Sequence, residues 1–154
     1  MVSSFQQAIA LIREQAKNDT ELGTAFEKLS KIFLEHDATQ KQQYSQVWHY
    51  EDWAKERDSY SNRDIGIDLV AKIRNEDSYC AIQCKCYESS HSISKADLDS
   101  FISASSTDDF TRLLLIDTST QSIGRHAQSV FENINKDYLR IQISELERSR
   151  IEWL

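Results

Sequence analysis

The sequence predicts an α/β domain, a mixed β-sheet flanked by α-helices, and three observations predict it. Two N-terminal stretches repeat apolar residues at helical spacing. A strictly alternating segment, 65–73, is followed across a short polar link by a second strand at 79–87. A four-residue apolar run, Leu113 to Ile116, then lies between two further helical patterns, as expected of a strand buried on both faces and reached by a crossover helix. Helices, a strand, a hairpin, then helix, strand, helix and strand describe a mixed sheet with helices packed on it.

The first helix is expected to start at Ser3 or Ser4, each followed three residues later by Gln6 or Gln7 as in a capping box, and to run to about Lys17. Phe5, Ile9 and Ile12 form its apolar side. A second helix from about Thr20 to Glu35 carries Leu22, Phe26, Leu29, Ile32 and Phe33 at three- and four-residue intervals, with Glu27 beside the stripe. The aromatic-rich segment Val47 to Trp53 reads as a strand, its Trp48, Tyr50 and Trp53 serving as core rather than as base-stacking platforms.

Ile65, Ile67, Leu69, Ala71 and Ile73 alternate with Gly66, Asp68, Val70 and Lys72, the pattern of a half-buried strand. With Asn75 to Ser78 as a four-residue loop, this strand pairs with Tyr79 to Tyr87 so that Asp68 faces Lys85 and Val70 faces Gln83. Next, Ser94 and Asp97 form a capping box, Ile93 and Leu98 a hydrophobic staple, and Leu98, Phe101 and Ile102 the buried side of a helix. After the apolar run, Ile123, Ala127, Val130, Phe131 and Ile134 share a helical face, Tyr138 to Ile143 forms a strand, and Ser144 with Glu147 caps a short closing helix.

At 154 residues, without proline and with only three glycines, the chain is expected to be a single domain with no flexible linker. No stretch approaches the roughly 20 apolar residues of a membrane helix, and the N-terminus lacks a signal-peptide pattern, so a cytoplasmic protein without membrane association is expected. Cys80, Cys84 and Cys86, crowded on one strand, read as reduced buried thiols rather than as zinc ligands with His91. The four histidines show no paired spacing that would suggest a zinc hydrolase. A net charge of -7 opposes strong binding to a polyanion and favours a protein partner unless a site argues otherwise.

Such a site is suggested by Asp68, Gln83 and Lys85, which the hairpin would project from one face. Residues two apart on a strand share a face, so Gln-x-Lys brings an oxygen ligand and a cation to the spot where Asp68 supplies an anion. A carboxylate, an amide oxygen and water suit a hard cation, Mg2+ with Mn2+ as substitute, and the lysine could orient attacking hydroxide, which together fit phosphodiester hydrolysis. The spacing alone is a weak signal and fits more readily a cross-strand ion pair on a wet sheet face.

Gly23-Thr24-Ala25-Phe26-Glu27, Gly66-Ile67-Asp68-Leu69-Val70 and Ile82-Gln83-Cys84-Lys85 together resemble the Mrr-like branch of the PD-(D/E)XK nucleases, whose third motif commonly reads Gln-x-Lys. The run Asp64 to Ala71, the aromatic segment ending Asp52-Trp53 and Ile93 to Phe101 are similar to the N-terminal nuclease domain of type ISP restriction enzymes. This resemblance implies a Mg2+-dependent endonuclease of a bacterial restriction system acting on double-stranded DNA. It implies a metal held by Asp68, Gln83, the backbone carbonyl of Cys84 and, through water, Glu27, with Lys85 as catalytic lysine. It also implies a helicase-like motor, a methyltransferase and a target-recognition domain as partners on a longer chain, and a second nuclease copy for a double-strand break. Gln83 departs from the superfamily's usual acid, which lowers the charge available to the metal. Ser94 and Lys95, at a helix start, are weaker candidates for contact with DNA phosphate. The rival readings are a catalytically inactive DNA-binding module with this fold and a protein-interaction domain.

Overall fold

Residues 4–57, 60, 66–88 and 90–153 are described by a computed structural model. Two helices open the chain. Helix α1 (Phe5–Gln15) is capped by a reciprocal Ser4/Gln7 box, and α2 (Asp19–His36) by the Asn18 side chain, which accepts from Glu21 N–H. A single turn, α3 (Gln40–Gln43), leads into strand β1 (Tyr44–His49), short helix α4 (Tyr50–Lys55), β2 (Leu69–Ile73) and β3 (Tyr79–Lys85). Helix α5 (Lys95–Ala104), β4 (Phe110–Asp117), α6 (Arg125–Asn133), β5 (Asp137–Ile141) and α7 (Ile143–Arg148) complete the order.

The five strands lie in the sheet in chain order. The β1–β2 and β2–β3 pairs are antiparallel, whereas β3–β4 and β4–β5 are parallel and joined across α5 and α6. Both sheet faces are covered. Leu69, Ala71, Ile82, Leu114 and Ile116 pack beneath α1, α2 and α7 with Phe5, Phe26, Phe33 and Trp153. Val70, Ala81, Leu113 and Leu115 pack on the opposite face beneath α4, α5 and α6 with Trp53, Phe101 and Phe131. Alternation along β4 thus feeds two cores, as its uninterrupted apolar run requires. Among the described residues no helix is long and apolar enough to cross a membrane.

Four expectations are corrected. The strand expected over Val47 to Trp53 ends at His49, and Tyr50, Trp53 and Ala54 instead bury one side of α4. Their spacing of three and four satisfies a helix, and Glu51 and Asp52 suit its positive first turn, so tertiary burial overrides the strand preference of the aromatics. The strand around Asp68 begins at Leu69, with Val70 fully buried, and is therefore covered on both faces rather than half-buried. Its first expected residue, Ile65, lies outside the described residues, as do Asp64 and the alternative cap Ser3.

The hairpin register is shifted by two. Ile73 N–H bonds Ser78 C=O across a turn of residues 74–77 in which Asn75 adopts φ 68°, and Leu69 pairs with Ile82 and Val70 with Ala81. Asp68 therefore stands beside Gln83 rather than Lys85. Finally, β5 ends at Ile141, and α7 is started by Gln142, whose N–H donates to Glu145, in place of Ser144 and Glu147. Ile143, expected as strand, packs on the first core as a helical residue.

Candidate active site

The carboxyl ends of β3 and β4 and the amino end of β2 meet at one edge of the sheet, the position where open α/β sheets hold ligands. Asp68 is fixed there by its backbone and side chain. Its N–H donates to Ile82 C=O at 2.9 Å, its C=O accepts from Tyr50 N–H at 3.0 Å, and its Oδ2 accepts from Cys84 N–H at 2.8 Å. The first turn of α4 is thus tied to Asp68 and brings Glu51 to the same region.

Gln83 is 5% exposed, and its Nε2 donates to Gly66 C=O at 3.1 Å. A carbonyl can only accept, so this contact fixes which end of the amide faces Gly66 and turns Oε1 away. Gln83 Oε1 is buried and has no hydrogen-bond partner among the described residues, a costly condition for a buried acceptor. Gly66 itself has φ 105°, and a Cβ there would meet Ser100 C at 2.7 Å, so glycine is what lets the chain leading to Asp68 lie against α5.

Asp68 is the common wall of two clefts. One, of about 280 Å³, is lined by Thr24 and Glu27 of α2, His49, Tyr50, Glu51 and Ile67. The other, of about 540 Å³, is lined by Gly66, Gln83, Lys85 and by Ala96, Asp97 and Ser100 of α5. Glu27 and Lys85 consequently approach Asp68 from different sides. Between them, the Cys84 thiol is pushed well above the ordinary thiol range by burial, then by the negative charge of Asp68 and, more weakly, of Glu27. A strand residue directs N–H and C=O to the same side, so the Cys84 carbonyl, like its N–H, is aimed at the edge where β2 has ended.

Two carboxylates, an amide oxygen and a main-chain carbonyl are hard donors, suited to Mg2+ or Mn2+ with water completing the shell. Among the described residues no three His, Cys, Asp or Glu side chains converge as a metal cage. The unsatisfied Gln83 Oε1 beside Asp68 is the feature that fits a cation at this edge.

The residues expected to contact phosphate stand at the start of α5 beside acidic partners. Ser94 Oγ accepts from Asp97 N–H and donates to Asp97 Oδ2, and Lys95 Nζ lies 3.1 Å from Asp99 Oδ1. Asp97 Oδ2 also meets His91 Nε2 at 3.1 Å. Partial burial opposes the Asp97 charge, but hydrogen bonds from Ser94 and His91 outweigh it and hold its carboxyl below the usual range. Sequence reasoning placed Asp97 only as a cap, and it hid Glu51 of the smaller cleft by extending a strand through a residue that is helical. The Gly66 carbonyl carried no signal beyond its glycine.

Residues 35–154 match the model of a restriction endonuclease family. The fold is similar to that of a solved structure described as the ATP-dependent type ISP restriction-modification enzyme LlaBIII bound to DNA, at 28% identity and a TM-score of 0.76 over 98% of this chain. The chain spans 9% of the length of that relative. A second solved structure, the MspJI restriction endonuclease in complex with a 27-mer oligonucleotide, matches at 16% identity and a TM-score of 0.41, covering 88% of this chain and 32% of that one. No curated protein matches. With its family model covering all but the first 34 residues, the chain belongs to the Mrr-like restriction endonuclease family.

Proposed function

We propose that this chain is a metal-dependent endonuclease domain that hydrolyses phosphodiester bonds in double-stranded DNA, using Mg2+ with Mn2+ as a substitute. The observation that carries this reading is the buried Gln83 Oε1, without a partner among the described residues, on a side chain whose Nε2 is held by Gly66 C=O and whose register position is opposite Asp68. Asp68, Gln83 Oε1 and the Cys84 carbonyl would hold the cation, with Glu27 reaching it through water from the smaller cleft. When bound, a divalent cation supplies Lewis acidity toward a phosphate oxygen and acidifies water.

The chain's own groups do the rest. Cys84 N–H binds one oxygen of Asp68 and so sets the orientation of the carboxylate at the edge. Lys85, two residues from Gln83 on the same strand face, orients the attacking water and offsets the negative charge that grows on the phosphate. The larger cleft between Lys85 and α5 gives the phosphodiester room to approach.

The likeness to a DNA-bound type ISP enzyme supports duplex DNA as substrate, and the small share of that relative spanned here supports work alongside a helicase-like motor, a methyltransferase and a target-recognition domain. A net charge of -7 is consistent with duplex affinity supplied by such partners, in the cytoplasm of a bacterium. With one site per chain, a double-strand break takes a second copy.

The test is nicking of supercoiled plasmid with Mg2+ or Mn2+ at high protein concentration, comparing wild type with Asp68→Ala and Lys85→Ala. Metal-dependent cutting lost in both variants is expected. Equal cutting by all three would refute the assignment, and duplex binding without cutting would favour an inactive module of the same fold.

A further inference from the structure

Lys85 has a second acidic neighbour. In the parallel register of β3 and β4 it pairs with Asp117, and alternation from Ala81 and Leu115 places both side chains on the face covered by α5 and α6. Adjacent strands lie about 4.8 Å apart, so a fully buried carboxylate stands beside the proposed catalytic lysine. Yet among the described residues Lys85 makes no ion pair, and it lines the cleft with Asp68 and Gln83 instead.

The reason lies one strand further along. Arg140 of β5 forks onto Asp117, with Nε 2.8 Å from Oδ2 and Nη2 3.0 Å from Oδ1, while Ser119 N–H donates to Oδ1 at 2.9 Å. Both carboxylate oxygens are thereby occupied in the bidentate geometry that guanidinium favours and a point-charge ammonium cannot reproduce. Arg140 is itself held, with 13% of its side chain exposed and Nη1 donating to Gln121 C=O at 2.8 Å.

We infer that Arg140 is a positioning residue for the nuclease reaction: by saturating Asp117 it denies the lysine a buried partner and leaves Lys85 directed at the scissile phosphate. The inference rests on the nuclease reading for its consequence, but its structural content stands apart from it. Removal of the guanidinium leaves a buried carboxylate without its countercharge, and Lys85 is the cation on the adjacent strand that can replace it.

The test uses Arg140→Gln and the double variant Asp117→Asn/Arg140→Gln. A crystal structure of Arg140→Gln is expected to show Lys85 Nζ within hydrogen-bond distance of Asp117; a lysine still facing the cleft would overturn the inference. Plasmid nicking per folded molecule is expected to fall about 10- to 100-fold in Arg140→Gln, the usual cost of losing a group that orients a site residue. It should return to near wild type in the double variant, because the neutral amide introduced by Asp117→Asn no longer attracts the lysine. If the single variant does not fold, the double variant decides, since it buries no lone charge: activity near wild type supports the inference, and loss overturns it. Capture of Lys85 in a protein whose wild type cuts nothing would refute the nuclease reading alone, whereas a cutting wild type with an uncaptured lysine would refute this inference alone.

Discussion

Replacing Gln83 with glutamate restores the acid usual at this position in related nucleases, yet the geometry says that it will destabilise the metal-free protein. The amide Nε2 that donates to Gly66 C=O at 3.1 Å becomes an oxygen facing an oxygen. Loss of that donor in a residue only 5% exposed costs about 1–3 kcal/mol. The new charge also stands beside Asp68, where two anions about 5 Å apart repel by about 3 kcal/mol at an effective dielectric of about 20. Lys85, two residues away on the strand and partly exposed, offsets roughly 1–2 kcal/mol of this. The net penalty is about 2–5 kcal/mol, or a fall in Tm of roughly 4–20 °C for a domain of this size.

Thermal unfolding in EDTA at pH 8 reads that penalty directly. Two further features of the melt identify its origin. Burial and Asp68 raise the pKa of the introduced carboxyl, and its protonated form can again donate to Gly66. A raised folded pKa means that the penalty is absent below the unfolded value of about 4.3 and opens as pH rises through the folded value, so the gap should be small at pH 5. Saturating Mg2+ should narrow it at pH 8. A variant that melts with wild type in EDTA at pH 8 would refute the claim that Gly66 dictates an amide here.

Other expectations follow from the same edge. Gly66→Ala forces a Cβ to within 2.7 Å of Ser100 C at φ 105° and should cost about 2–4 kcal/mol, read as a lower urea midpoint; an unchanged midpoint would mean that α5 is not packed on this residue. A maleimide at pH 7.5 should modify only half-buried Cys86 in the native protein, because Cys80, with a thiol pushed up to about 12, and Cys84 are buried; rapid loss of Cys84 would contradict the closed α2 side of the site. Asp97, whose carboxyl is held below its usual range, contributes stability that is present above the unfolded pKa of about 3.9 and lost as pH falls through the folded value. Asp97→Asn should therefore lower Tm at pH 7, with a difference that shrinks as pH falls below about 3.9, and a difference that stays constant from pH 7 to acid would exclude that linkage.

How far the sequence could be read depended on what each signal measures. Ser4 with Gln7 and Ser94 with Asp97 announced two helix starts because a capping box is local chemistry. Leu113 to Ile116 announced a doubly buried strand because each face must be fed. The hairpin register was missed by two because nothing in Arg74 to Ser78 told the sequence which four residues turn. A slip of two keeps every side chain on its face, so Asp68, Gln83 and Lys85 were still brought to one edge despite the wrong partner. Val70 gave no hint of its burial, being flanked on its own face by Asp68 and Lys72. Helix α4 was concealed by aromatics that favour strands, and with it went Glu51. The Asp117–Arg140 pair was beyond reach, since 23 residues separate the two and only the parallel order of β4 and β5 joins them.

The bond from Cys84 N–H to Asp68 closes across 16 residues of a single hairpin, whereas the register that places Lys85 beside Asp117 requires the full α5 crossover. Loop closure is cheaper for the first, so the edge proposed to hold the cation is assembled by local contacts, and the charges flanking the lysine are added when the parallel strands dock. Refolding kinetics are expected to inherit this division: substitutions within the hairpin should slow folding, and substitutions along β4 and β5 should chiefly speed unfolding, as stopped-flow measurement of both rates would show.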